Sequence, residues 1–431
     1  MKSLDLCEKN LPEKNEIGLQ SLKQEYQTLH HFLMAYTAIW RHEPMAAYPA
    51  NVKAYPQDWV DEFDDHSKLF QLYAKTLDHH AIRSPALAAM LEETLRLERV
   101  APHSSLPATF SHDFLTQKKR HELMHLIPLL TEKAQQHRCH TVIDVGSGHG
   151  HLGRTLGSII NLPVICLEKD EALINQGQVV ASKQGKEKAL TFVAQDLMPE
   201  LLQFFPDSPF AALNLKAPSL LVGLHTCGNL GISQILLGLH SLQHQINPLI
   251  NIPCCYFHLH PQLETNLSPL SQLYPVAWTP QALTLATRAH RRQDEKEYLA
   301  MARVKEYRYT LQLFFHEELG LSDFFPVGSS HQRLYRKSFS EYATAKFQQL
   351  GLALPGQHSF QGFYENALTQ KKVRDLFTMT LLRWRFGRIL EKALIVDRAL
   401  WLEEHGYRAE LFTLFDEAIS PRNIVLYATK C

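Results

Sequence analysis

The chain has 431 residues, 45% of them hydrophobic, which is enough for a sizeable buried core and too much for one ordinary compact domain. Lysine plus arginine equals aspartate plus glutamate, 44 of each, so no whole-surface charge announces a nucleic acid or an anionic membrane, and any nucleic-acid surface must be local. The charged segment 1–16 lacks an apolar signal-like run and no stretch approaches a membrane span. The seven cysteines (Cys7, Cys139, Cys166, Cys227, Cys254, Cys255, Cys431) fall in no disulfide-scaffold or zinc-finger spacing. A soluble, cytoplasmic protein of a reducing compartment is expected, with no membrane contact.

Residues 18–100 read as helical, because Leu22, Tyr26, Leu29, Phe32, Leu33, Tyr36 and Trp40 recur at the three-and-four spacing of one helix face. Ser84 is a candidate N-cap before Pro85, opening a helix through Leu87, Met90, Leu91, Leu95 and Leu97. The Pro- and Ser-bearing stretch 101–109 then ends an N-terminal helical region, 1–109. From Thr141 short apolar runs alternate with helical stretches, the pattern of a parallel sheet with crossover helices. Strands are expected at Thr141–Val145, Pro163–Leu167, Leu190–Ala194, Leu220–Leu224 and Leu249–Ile252, with helices at Leu152–Ile160, Glu171–Ser182 and Ile232–Leu242. Two more strands, Leu411–Phe415 and Ile424–Ala428, follow a helix Ile389–Glu404. The expected fold is therefore an α/β, doubly wound, Rossmann-like sheet in two parts, 110–259 and 389–431. A mostly helical insertion, 260–388, lies between strands 5 and 6.

The first strand ends in Asp144 and runs into Gly146, Ser147, Gly148 and Gly150, where small residues let the backbone approach a ligand at a helix N-terminus. A dinucleotide site would want glycine or alanine at position 151, which is His151. The acidic-x-Gly-x-Gly-x-Gly spacing instead suits S-adenosyl-L-methionine, with Asp144 toward its methionyl end. Glu168, ending the second strand, is placed for the ribose hydroxyls, and Gln195, Asp196 and Leu197, ending the third, for the adenine. The bland alternative is a tight strand-to-helix turn with solvated acids.

Four further pieces join the glycine turn: Gln117-Lys118-Lys119-Arg120-His121-Glu122; Gly223-Leu224-His225-Thr226-Cys227-Gly228-Asn229-Leu230; Cys254-Cys255-Tyr256; and Ser420-Pro421-Arg422-Asn423. Together they resemble the methyltransferase-like protein 25 family, including its ribosomal-RNA-adenine-dimethylase-domain-containing branch. The resemblance covers roughly positions 110–431. It implies a Rossmann-like methyltransferase using S-adenosylmethionine. The His-x-Cys-Gly and Cys-Cys pieces are also similar to those of tRNA acceptor-stem 2′-O-methyltransferases, which points to an RNA substrate and partner. Asn229 departs from the family's usual aspartate, and Pro253 from its usual small residue.

His225 and Cys227 follow the fourth strand, and Cys254, Cys255 and Tyr256 the fifth, so a parallel sheet brings them to the same edge as the glycine turn. These five are the candidate catalytic residues. One reading makes His225 a general base; a second uses a cysteine nucleophile, through Pro253-Cys254 or Thr226-Cys227. A third, metal binding by Cys227, Cys254, Cys255 and a histidine such as His258, lacks Cys-x-x-Cys spacing, and no metal ligand is assigned. The plain alternative is that the cysteines pack as small apolar groups. Lys118, His121 and Glu122 open a helix before the first strand, with Lys118 and His121 candidate cofactor contacts; the alternative for all three is a solvated helix face.

Arg288–Arg292 and Lys371–Arg388, the latter around Trp384 and Phe386, either grip a nucleic-acid strand or cover the core with aromatics and wet their cations. The expected function is S-adenosylmethionine-dependent methylation of RNA, at a base nitrogen or ribose hydroxyl. Methylation of a protein or small molecule, or a non-catalytic cofactor-binding scaffold, are the rival readings.

Overall fold

The computed structural model describes residues 13–104, 106–109, 115–197, 218–240, 246–288, 294–355 and 359–430. It divides into two compact units, one formed by Met1–Met34, Arg99–Arg291 and Leu390–Cys431, the other by Ala35–Glu98 and Arg292–Ile389. This differs from the four consecutive regions expected from the sequence. The first part of the expected insertion belongs to the sheet unit, where the Asp397 carboxylate accepts the amides of Leu267 and Ser268 at 2.8 and 2.9 Å. Most of the N-terminal region belongs to the other unit, where Arg383 donates to the Trp40 carbonyl at 2.9 Å. Bonds between residues so far apart in the chain leave no trace in local periodicity.

In the sheet unit seven strands lie in the order β3-β2-β1-β4-β5-β7-β6. They are β1 Thr141–Val145, β2 Val164–Glu168, β3 Leu190–Ala194, β4 Ser219–Cys227, β5 Ile246–Cys254, β6 Tyr407–Thr413 and β7 Ile424–Lys430. The first five are parallel, and β7 runs antiparallel to both neighbours. The order reverses between β1 and β4, and a ligand crevice opens there, beyond the strands' carboxyl ends. One face of the sheet, through Val142, Val164, Leu220, Val222 and Ile250, packs with Leu123, Leu126, Ile127 and Leu130 of the helix Gln117–Gln136. On the other, Ile143, Val145, Leu221 and Leu249 pack with Leu237 of the helix Leu230–His240. Each such side chain stabilises the fold by roughly 1.5–3 kcal/mol when fully buried.

The strand positions were legible, but β4 and β5 run longer at both ends than their apolar cores suggested. Polar Thr226 extends β4 beyond its apolar core by accepting a bond from Asn251 of β5, whose own Oδ1 accepts none among the described residues. Asn251 Nδ2 donates to Thr226 Oγ1 at 3.1 Å and to Gln234 Oε1 at 2.7 Å, and Gln234 Nε2 donates to the Ile250 carbonyl at 2.8 Å. β6 begins four residues earlier than expected: it is an edge strand whose buried Tyr407 and Ala409 alternate with exposed Arg408 and Glu410, so no continuous apolar run marks it. The second unit contains the helices Pro85–Leu97, Glu295–Glu317, Phe339–Gln349 and Ala367–Trp384. Its core is largely aromatic, with Tyr307, Phe314, Phe315, Phe339, Tyr342 and Phe347 clustered. Ser84 is extended ahead of Pro85, as expected for a helix start, though its hydroxyl makes no capping bond. No helix among the described residues is long and apolar enough to cross a membrane.

Gly223 is forced by the polar network. A Cβ there would lie 2.3 Å from both Gln234 Oε1 and Thr226 Cγ2. Gly223→Ala is expected to cost about 2 kcal/mol or more in urea unfolding. Gly18→Ala, in a helix with nothing within 4 Å of its Cβ position, should be neutral or stabilising. Equal effects at the two positions would remove the crowding argument.

Candidate active site

The turn after β1 takes Gly146, Gly148 and Gly150 through left-handed φ values of 68, 54 and 68°. Such values are cheap only for glycine. The Gly148 amide donates to Glu168 Oε2 at 2.9 Å, while Glu168 Oε1 accepts the amides of Lys169 and Asp170 at 2.9 and 3.1 Å. The Glu168 carboxylate is thereby held across the turn. Oε1 is filled by its two amides, and Oε2 keeps one lone pair for a ligand hydroxyl. Nothing lies within 4 Å of a Cβ position on Gly148, so the turn faces open space.

Asp144 is only 3% exposed, and its Oδ2 has no hydrogen-bond partner among the described residues; neither has the buried Ser147 Oγ. Burial pushes the Asp144 carboxyl up to about 7, with Lys119 pulling it down and Glu168 adding to the rise. Unsatisfied buried acceptors are costly, and a cationic, hydrogen-bonding ligand would satisfy these. The residues therefore fit the ammonium-bearing methionyl end of S-adenosylmethionine. At the end of β3, Gln195 donates its amide to the Glu168 carbonyl at 2.9 Å and its side chain to the Asp196 carbonyl; Leu197 is buried against Val145 and its neighbours.

β4 carries one extra residue relative to β5 between Leu224 and Thr226, and the extra residue is His225. It adopts φ 63°, a left-handed conformation unusual for a non-glycine residue and characteristic of bulges beside active sites. Its Nε2 lies 2.7 Å from Glu122 Oε1, which also accepts Ser420 Oγ at 2.7 Å. Burial alone would raise the Glu122 pKa, but the hydrogen bond and charge of His225 and the hydroxyl of Ser420 outweigh it and hold the carboxyl at about 2. An ionised carboxylate only accepts, so His225 Nε2 donates to it and Nδ1 is left as the basic nitrogen.

Across the same edge, Cys227 pairs with Cys254 in register, their sulfurs 3.0 Å apart. Cys255 completes a trio within 4.8 Å. The Cys227–Cys254 hydrogen bond holds Cys227 below the ordinary thiol range and Cys254 above it. Tyr256 is turned inward: it is fully buried, its hydroxyl lies 3.3 Å from Glu391 Oε1, and the Arg398 guanidinium sits over its ring. It packs rather than facing the crevice, which corrects its placement among the catalytic candidates.

The helix Gln117–Gln136 contributes differently from expectation. His121 Nε2 accepts the Asp416 amide at 3.0 Å and its ring packs on His125 and Phe415, so its nitrogen is engaged away from the glycine turn. Lys118 is exposed and lies 3.6 Å from Glu122 Oε1. The neighbours matter more: Lys119 bears electrostatically on Asp144 and Glu122, and Glu122 orients His225. A signal for Glu122 was present. It sits on the apolar stripe with Leu126 and Leu130 at four-residue spacing, and a carboxylate there requires a partner. Ser420 was visible only as the first residue of the Ser420-Pro421-Arg422-Asn423 piece.

Of the basic stretches, positions 289–292 lie outside the described residues. In the other, Arg383 and Arg385 are 3% and 4% exposed and bonded internally, to the Trp40 carbonyl and Thr94 Oγ1, and Trp384 and Phe386 are buried. The second half of that stretch covers the core, whereas Lys371 and Arg374 are exposed and Lys371 and Lys372 pair with Asp375 and Glu317.

Strand order, glycine turn and sheet-edge residues define a class I methyltransferase domain, the class whose cofactor is S-adenosylmethionine. Residues 118–262 match the family model described as a methyltransferase domain. The chain is similar to the probable methyltransferase-like protein 25 of Mus musculus, 24% identical over 226 residues that cover 49% of this chain and 37% of the relative. The match thus spans little more than a third of that relative's length. Two solved structures also align, each with a TM-score of 0.26: a possible exported protein from Bordetella parapertussis (13% identity, 89% of this chain, 99% of that one) and coclaurine N-methyltransferase bound to N-methylheliamine and SAH (12%, 96% and 98%). The fold assignment rests on the strand order instead.

Glu122 also links the site to acid stability. Its folded pKa, about 2, lies below its ordinary value of 4.5, so its stabilisation is complete above pH 4.5 and is lost as pH falls through that window. Between pH 5 and pH 3 the wild type should lose about 2 kcal/mol that Glu122→Gln does not lose, read from urea midpoints. Parallel losses in the two proteins would show that Glu122 is not held ionised.

Proposed function

We propose that this protein transfers the methyl group of S-adenosylmethionine to RNA, at a ribose hydroxyl or a base nitrogen. The observation that carries the reading is the pairing, at one sheet edge, of an unsatisfied buried Asp144 with a histidine oriented by a buried carboxylate. The bound cofactor supplies an electrophilic methyl on a cationic sulfur. Asp144 and Ser147 bind the methionyl end, Glu168 accepts the ribose hydroxyls, and Gln195, Asp196 and Leu197 border the adenine. His225 takes the proton of the attacking group at Nδ1, while Glu122, fixed by Ser420, holds the ring. Methyl transfer is an in-line displacement, so alignment contributes along with the base. The RNA assignment rests on the similarity of His225-x-Cys227-Gly228 and Cys254-Cys255 to tRNA 2′-O-methyltransferases. RNA held through phosphate contacts should lose affinity steeply as salt rises, a dependence that a protein or small-molecule substrate would not show.

Asp144→Asn should abolish cofactor binding in calorimetry while the protein stays folded. In the wild type a cationic ligand requires the ionised carboxylate, whose pKa is about 7 before binding. Affinity should therefore fall about tenfold for each pH unit below 7, with proton release on binding. A pH-independent affinity would displace Asp144 from the site.

His225→Ala should leave cofactor affinity intact and lower turnover on total RNA by about 10²–10⁴. Unchanged turnover would remove His225 from the mechanism. Label appearing in protein but not in RNA would move the substrate to a polypeptide; cofactor binding without turnover on any substrate would favour a scaffold.

A further inference from the structure

We infer that Cys227, Cys254 and Cys255 form a binding site for a zinc-type divalent metal, three thiolates with a fourth position for water or for the nearby His258. Metal-site spacing rules such as Cys-x-x-Cys describe ligands on one loop. Here the ligands come from two adjacent strand ends, so no such spacing marks them along the chain.

The three sulfurs lie within 4.8 Å of one another, the closest pair 3.0 Å apart. A tetrahedral zinc ion with Zn–S bonds of about 2.3 Å holds its sulfurs about 3.8 Å apart, inside that range. Cys227 and Cys254 face each other because β4 and β5 pair them in register. Cys255 should point to the opposite face from Cys254 if the chain stayed extended. Instead it turns left-handed at φ 51°, which brings both sulfurs to one side.

Gly228 completes the arrangement. It has φ 57°, and its amide donates to the Cys254 carbonyl at 2.9 Å. A Cβ on it would meet His258 Cβ at 2.6 Å, so the glycine lets the His258 segment pass close to the end of β4, although the His258 ring is not among the ligand atoms within 4.8 Å. Two unusual backbone conformations therefore converge on the trio. A disulfide between Cys227 and Cys254 would leave the turn at Cys255 without purpose. Thiolate donors select zinc over calcium or magnesium. A bound ion would tie the ends of β4 and β5 together two residues from His225.

The test is metal analysis of the full chain, purified without chelator and reconstituted with zinc, alongside cobalt substitution read by its sulfur-to-metal charge-transfer absorption. About one zinc per chain is expected, falling below about a tenth in Cys227→Ser and Cys254→Ser but unchanged in Cys166→Ser, whose buried thiol lies on β2. Circular dichroism on each variant separates metal loss from unfolding. A folded wild type without stoichiometric zinc or a cobalt–thiolate band would overturn the site. Full metal in a folded variant lacking all three cysteines would do the same, as would a Cys227–Cys254 disulfide found by peptide mapping of the protein as purified. Metal content is read without the cofactor, so a calorimetric titration of the same sample tests the methyl-transfer reading separately.

Discussion

Asn251 is the residue on which the sheet edge depends. It is fully buried between β4, β5 and the helix Leu230–His240, and its two amide hydrogens are shared among Thr226 Oγ1, Gln234 Oε1 and the Gly231 carbonyl. Buried polar groups are expensive unless bonded; Asn251 Oδ1 accepts nothing among the described residues, so the bonds its amide donates are what tie these residues together. That requirement fixes where β4 resumes pairing after its bulge. The bulge in turn leaves His225 as the unpaired residue and sets Cys227 opposite Cys254. The chemistry of the edge follows from a packing constraint two residues behind it.

Two buried carboxylates flank this edge and are driven in opposite directions. Glu122 has a histidine and a hydroxyl on one oxygen and stays ionised far into acid. Asp144 has an oxygen with no partner among the described residues, and burial brings its pKa to about 7. Pairs of titratable groups pushed apart by their surroundings mark division of labour in a site. Glu122 is a permanent anion that orients a base. Asp144 is an acceptor held ready for a cation, and its unsatisfied state in the free protein is the counterpart of the affinity it would confer.

The sheet was legible because its physics is local. Apolar runs of five residues between helical periods read directly as parallel strands, and the acid-glycine spacing after β1 named its own turn. The helical half was legible only as helix. Which helices share a core depends on bonds such as Arg383 to Trp40, between residues far apart in the chain, which no local pattern encodes. The site was half legible for the same reason. Strand-end residues could be placed by topology alone, which put His225 and the cysteines at the edge. Topology does not say which way a side chain turns, so Tyr256 and His121 were assigned to the crevice although their polar atoms bond elsewhere. Glu122 stayed open between a site contact and a solvated face, because the charged neighbours Lys118, Lys119 and Arg120 mask its position on the buried stripe.

The residues around His225 come from three distant parts of the chain: Glu122 before β1, His225 at the end of β4, and Ser420 between β6 and β7. Ser420 reaches Glu122 only because β7 inserts antiparallel beside β5, after a long excursion through the second unit. Loop-closure entropy grows only with the logarithm of length, so such an excursion costs little once the strand is in place. What it changes is dependence. The carboxylate that orients the base receives its second hydrogen bond from the last loop of the sheet, so the site is complete only when the sheet is. An insertion between strands 5 and 6 is therefore tolerable on one condition: its two ends must return the chain to the same edge of β5, or His225 loses the partner that holds it.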